Sequence, residues 1–297
     1  MKMTKEERKP KDQQAAHGQK KDHGEKDEHA RVVSVKDARP ESPLVVAGFP
    51  DNGMVGSICI NHMIEQAEMH QIAFVDSEYI MASALFVGKK LRHPFRIYAN
   101  DAGTVCALLC EVPILARGIR SIVNALVDWC GDVGARELIV LGGIAPTNIS
   151  PAFQVPRSAF VLQGTAAGGS GSSTGSDAGT VGAVEPADGK SPRLQVPTTA
   201  FVVGIGGALL SSCVANGISC KGLFVPSLGE APDPGGAALL LDALAQLEPD
   251  ARVDTESLRA EEEMIKRHLE ELLKMQKRQM EEYEKAGSRP DTERIYK

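Results

Sequence analysis

The chain has 297 residues, of which 42% are hydrophobic and 24% charged, with a formal net charge of -6, enough apolar material for one large domain or two small ones. This balance excludes a nucleic-acid binder, because phosphate neutralisation needs a concentrated basic face that the sequence lacks. No run approaches the roughly 18 uninterrupted apolar residues of a membrane span and the N-terminus is charged, so the sequence predicts no membrane insertion and a cytoplasmic protein.

Residues 1–40 hold 19 charged residues of both signs and no aromatic. Such a segment buries too little surface to offset ordering its backbone, so it reads as a disordered charged extension. His17, His23 and His29 recur every six residues there and read as solvated side chains.

From Pro43 the pattern changes. Short apolar runs such as "PLVVAGF", "QIAFVDS", "TVCALLCEV", "ELIVLGG" and "KGLFVPS" alternate with helical stretches such as "MVGSICINHMIEQAEM" and "GIRSIVNALVDWCGDVG". Buried strands alternating with helices predict an α/β layer fold over residues 41–250. "KKLRHPFRIY", Lys89 to Tyr98, is a more polar strand or hairpin, which makes the expected sheet mixed. Cys59, Cys106, Cys110, Cys130 and Cys213 all lie within apolar runs, as reduced core cysteines do, and no CxxC pair offers a zinc site.

Two segments nearly repeat: "QVPRSAFV" from Gln154 and "QVPTTAFV" from Gln195. The Gly/Ser/Ala-rich stretch 163–193 between them has almost nothing to pack and reads as a flexible insertion between two similar strands. The repeat is either a duplication or a pair of neighbouring strands in like environments.

Within the charged segment 251–286 a helix is expected from Asp254 to about Lys285, with Asp254 or Thr255 as N-cap and Glu256 in its first turn. Leu258, Ile265, Leu269, Leu272, Gln276 and Tyr283 form a stripe of 3.5-type spacing, and Glu262–Lys266, Glu270–Lys274 and Glu281–Lys285 are favourable pairs four apart. The helix either packs along its own domain or zips against another subunit. Gly287 and Pro290 then release a tail, 287–297, that ends on Ile295, Tyr296 and Lys297.

Sites for chemistry are hard to find. "GFPDNGMVG" lies between a strand and a helix, where phosphates often bind, and Gly48 and Gly53 match the first half of a P-loop. Met54 and Val55 then stand where the Lys and Ser/Thr belong. Gly48, Phe49, Pro50, Gly53 and Gly56 therefore read as a structural glycine loop for a tight turn and close helix packing. "GIGGALL" at Gly204 has Leu209 at the third glycine position of a dinucleotide fingerprint. The one GxSxG, Gly171 to Gly175, falls in the low-complexity stretch, and Asp51, Asp76, Glu78, Asp101 and Glu111 are scattered carboxylates. No cofactor and no metal are implied.

Taken together, "PLVVAGFPDNGMVG", "VNALVDWCGDVGARELIVLGG", "GIGGALLSSCVANGISCKGLFVPS" and "PDPGGAALLLDALAQL" resemble the archaeal proteasome-assembly-chaperone family, over roughly Pro43 to Leu247 without the insertion. The resemblance implies a three-layer α/β/α fold with a mixed sheet of the phosphorylase/hydrolase-like type. It also implies protein binding rather than catalysis, often as a homo-oligomer. The terminal Ile295-Tyr296-Lys297 resembles the hydrophobic-Tyr-X (HbYX) motif that docks on the 20S proteasome. By that resemblance the tail enters a pocket between α subunits, with Ile295 giving apolar burial, Tyr296 a ring and hydroxyl, and Lys297 the terminal carboxylate. The expected function is thus a proteasome assembly chaperone or proteasome-binding regulator. The alternative is a small-molecule enzyme with its site at the glycine loops.

Overall fold

The computed structural model describes residues 29–35, 40–87, 89–149, 157–164, 182–184, 187, 194–229 and 231–287. Strands β1 (Ala30–Ser34), β2 (Leu44–Gly48), β3 (His70–Ser77), β6 (Phe95–Ala99), β7 (Val105–Cys110), β8 (Glu137–Ile144), β9 (Phe160–Gly164), β10 (Gly182–Val184), β11 (Leu194–Val196) and β12 (Cys220–Pro226) form one sheet. Their order is β1-β3-β6-β7-β2-β8-β12-β9-β11-β10. The four central strands β7, β2, β8 and β12 are parallel, while β6 and β9, which flank them, run antiparallel to β7 and β12 respectively, and β11 is parallel to β9. The mixed sheet follows. Strands β4 (Leu85–Val87) and β5 (Lys90–Arg92) pair only with each other, as a hairpin outside the main sheet.

Because the central strands are covered on both faces, they are almost continuously apolar, the paired Glu137 of β8 and Lys221 of β12 excepted, and they divide their side chains between two cores. Val45 and Ala47 of β2 face one core; Leu44 and Val46 face the other. Helices α2 (Ile119–Asp132) and α3 (Gly204–Asn216) close the first core. Helices α1 (Val55–Gln66) and α4 (Pro234–Leu247) close the second, and α5 (Glu256–Gly287) lies outside α4. This is a three-layer α/β/α arrangement. In α2, Ile122, Val123, Leu126, Val127 and Cys130 are buried, the one-faced spacing of an amphipathic helix. Ile122 and Leu126 are fully buried, worth about 2 kcal/mol each. All six cysteines are free and buried, and burial pushes the Cys106 and Cys130 thiols up to about 12. No helix among the described residues is long and apolar enough to cross a membrane.

Two boundaries differ from the sequence reading. The 1–40 segment is not uniformly an extension, because Ala30–Ser34 forms β1 against β3, with Val32 packed on the core and Arg31 paired to Asp76 at 2.9 Å. Counting charges hid this, since Arg31 and Asp76 sit directly opposite in register and an edge strand tolerates charge that a cross-strand partner meets. The 163–193 stretch is likewise not all insertion: its first two residues end β9, and residues 182–184 form β10 against β11. The charged helix starts at Glu256, directly after the expected N-cap residues Asp254 and Thr255; Pro249–Ala251 is a short 3-10 turn and the Asp254 carboxylate accepts the Glu256 N–H at 3.1 Å.

Candidate functional site

Strands β2, β7, β8 and β12 all finish at one end of the sheet, here the upper end, and the segments leaving them meet there. In an open α/β sheet this is where binding sites form. After β2 the chain turns through Asp51 into α1 by way of Gly53 at φ +68° and Met54 at φ +52°. Gly53 is required, since a Cβ there would stand 2.3 Å from the Ser227 hydroxyl oxygen and a side chain is strained at that φ. Gly48 permits the close packing of α1 on β2: its Cβ would lie 2.1 Å from the Gly56 carbonyl oxygen. Phe49 is buried edge-on against Phe95, and Pro50 is exposed.

The Asp51 carboxylate accepts the N–H groups of Gly143 at 2.7 Å, two residues past the end of the β2–β8 pairing, and of Gly56 at 3.2 Å. Burial pushes its pKa up to about 7, against the pull of those N–H donors and with a smaller push from Asp233. A second carboxylate, Asp233, caps α4 by accepting the Gly236 N–H at 2.8 Å, and also takes the Ser227 hydroxyl at 2.8 Å and the Arg157 guanidinium. Burial alone would raise Asp233, but Arg157, the Gly236 N–H and Ser227 outweigh it and hold the carboxyl below its usual range. Arg157 also donates to the Pro226 carbonyl at 2.8 Å, and the Asp233 N–H donates to the Gly53 carbonyl at 2.9 Å. One network therefore ties the ends of β2, β8 and β12 to the start of α4.

Its members spend their hydrogen-bonding capacity on one another. Ser227 donates to the Asp233 carboxylate rather than to a histidine, and the groups of three or more His, Cys, Asp or Glu that would hold a metal are absent among the described residues. Of these residues the sequence singled out only Asp51, as one scattered carboxylate, together with the glycines. Asp233 had a legible signal, an Asp N-cap followed by Pro at the first helical position. Arg157 and Ser227 had none. Asp76, Glu78, Asp101 and Glu111 are not gathered here: they pair with Arg31, His29, His70 and Arg96 respectively.

The upper end is also where apolar surface is left uncovered. Met54 and Leu228 flank the glycine loop, with Phe201 and Val203 on the segment that enters α3, held there by the Phe201 N–H to the Asn148 carbonyl at 2.9 Å. Further along the same end, Met81, Phe86, Leu91 and Leu115 surround the β4–β5 hairpin, beside a cleft of about 510 Å³ between Ser77 and Pro94. These eight are two thirds of the large apolar side chains that are exposed among the described residues. Helix α5 runs antiparallel to α4: Arg259 pairs with Asp242, and one turn later Glu262 reaches Gly235 in the first turn of α4. Beyond Glu262 the helix therefore extends past the upper end. Ile295, Tyr296 and Lys297 lie outside the described residues.

The PAC2 family model matches residues 45–273. A protein of Methanocaldococcus jannaschii, MJ0106, is 26% identical over 247 residues, covering 82% of this chain and 92% of its own. Among solved structures, Pyrococcus furiosus PbaA, described as an archaeal homolog of proteasome-assembly chaperone, matches with a TM-score of 0.66 at 20% identity, over 88% of this chain and 99% of its own. Pyrococcus furiosus PbaB, described as an archaeal proteasome activator, matches with a TM-score of 0.63 at 16% identity, over 82% and 98%. A protein from Thermoplasma acidophilum matches with a TM-score of 0.58 at 30% identity, over 82% and 92%. With the family model matching across both cores and the glycine loop, this chain belongs to the PAC2 family.

Proposed function

We propose that the chain is a non-enzymatic proteasome assembly chaperone or proteasome-binding regulator whose C-terminal Ile295-Tyr296-Lys297 docks between α subunits of the 20S particle. The observation that carries this reading is the coincidence of a PAC2 body with that terminal tripeptide. Two relatives of the same fold are described as a proteasome-assembly-chaperone homolog and as a proteasome activator. Supporting it, α5 leads the chain away from the upper end, and at about 1.5 Å per residue the 25 residues from Glu263 to Gly287 span about 37 Å. The reading requires a free carboxylate on Lys297.

One three-residue anchor gains little burial and must be ordered on binding, so a single tail binds weakly. Several tails on a homo-oligomer bind together far more tightly. Deleting Ile295 to Lys297 is expected to abolish co-elution with 20S particles while leaving the thermal unfolding midpoint unchanged. Retained co-elution would refute the tail and place the contact on the α/β body.

A further inference from the structure

We infer that Cys213 and Cys220 form a redox pair, which a hydroperoxide closes into a disulfide fastening the end of α3 to the start of β12, and which a thiol reductant reopens.

Local geometry brings the two thiols together. Cys213 lies in the last turn of α3, which Gly217 ends at φ +71°. The Ile218 N–H then returns to the Cys213 carbonyl at 2.9 Å, reversing the chain as helix ends with a left-handed glycine do. Cys220 follows as the first residue of β12, held between Leu138 of β8 and Gly164 of β9. Its thiol rests against α3, donating to the Leu210 carbonyl at 3.7 Å. Cys213 is three residues on from Leu210, on the same face of the helix. Helical side chains lean toward the N-terminus, so the Cys213 thiol lies back over that turn and meets Cys220. The two thiols hydrogen-bond each other.

The pair stands apart from the other cysteines. Burial pushes the Cys106 and Cys130 thiols up to about 12 and Cys110 to about 11, and the Cys59 thiol donates to the Ala237 carbonyl at 3.5 Å. Such thiols are poor nucleophiles. At Cys220 the hydrogen bond from Cys213 outweighs burial and the Glu137 carboxylate, and holds the thiol below its usual range. Cys213, the donor of that bond, is pushed up. Cys220 is therefore the attacking sulfur and Cys213 the resolving one.

The step balances with a hydroperoxide as oxidant. The Cys220 thiolate attacks one peroxide oxygen, the O–O bond breaks, and a sulfenic acid forms with release of one water. The Cys213 sulfur then attacks the Cys220 sulfur, forming the S–S bond and releasing the sulfenic oxygen as a second water. Two thiols lose two electrons and two protons, and the peroxide takes both. The sulfurs are buried, but Gly217 and Ser219 in the turn above them are exposed, and opening of that turn admits the oxidant. A tie at this place has leverage, because α3 buries only Ile205, Leu209 and Cys213.

Both cysteines fall in one tryptic peptide, Leu194–Lys221, which makes the test direct. The full chain is exposed to hydrogen peroxide under native conditions, alkylated with N-ethylmaleimide in denaturant and digested. The peptide should become about 2 Da lighter and take no alkyl group, and dithiothreitol before alkylation should restore two alkylation sites. Closing this eight-residue loop should also raise the thermal unfolding midpoint by roughly 5 °C. Cys213→Ala and Cys220→Ala should each abolish that rise. A peptide still alkylated at both cysteines, Cys220 oxidised to the sulfinic acid without closure, or a rise that survives in either variant would overturn the pair; the peptide readout needs no variant to fold.

Discussion

The carboxylate of Asp51 is held 2.7 Å from the backbone N–H of Gly143, fastening the loop after β2 to β8. Since burial lifts its pKa to about 7, from an ordinary 3.8, the native state favours the protonated carboxyl more than the unfolded state does. Stability from this group is fully present below the unfolded pKa and is lost as pH rises through about 7. A shift of this size corresponds to a loss on the order of 2–4 kcal/mol. Urea unfolding at pH 5.5 and pH 8.5 should show the intact chain less stable at the higher pH. Asp51→Asn, which cannot ionise but keeps an acceptor for the Gly143 N–H, should flatten that difference.

Asp233 works in the opposite sense. Its folded-state pKa is lowered, so its contribution is present above the unfolded value and disappears only as pH falls below about 4. Removing its cation by Arg157→Ala leaves a partly buried carboxylate short of a partner and should cost about 1–3 kcal/mol at pH 7. A smaller loss at pH 3 than at pH 7 is the signature of the ion pair. An equal loss at both would assign the effect to packing of the Arg157 stem.

The glycine loop tolerates no side chain where α1 crosses β2. Gly48→Ala brings a Cβ 2.1 Å from the Gly56 carbonyl oxygen, a backbone clash that only movement of α1 relieves. The expected cost is about 3 kcal/mol, read as a lower urea midpoint with an unchanged m-value. An Ala substitution at Gly131, where a Cβ meets nothing within 4 Å, should change stability by less than about 1 kcal/mol.

The layer architecture was legible because the central strands are almost continuously apolar and a helix such as α2 buries one face; periodicity reports both. What escaped the sequence depends on context instead. The two near-repeats show this plainly. Phe160 of "QVPRSAFV" opens β9 and is fully buried, while Phe201 of "QVPTTAFV" lies outside any strand and is 65% exposed. Arg157 of the first copy caps the Asp233 network, whereas Thr198 stands at that place in the second. Near-identical segments met different neighbours, so neither "two similar strands" nor the role of Arg157 was available from spacing. Strand β1 escaped for a related reason: its Arg31 is answered by Asp76 of β3, 45 residues away.

The most direct test of the proteasome-docking account is surface plasmon resonance of the intact chain and of Tyr296→Ala against immobilised archaeal α-rings and 20S particles. The account predicts saturable binding by the intact chain and loss of at least tenfold in affinity, about 1.4 kcal/mol or more, for the variant. Equal binding by the two proteins, or binding by neither, would contradict it.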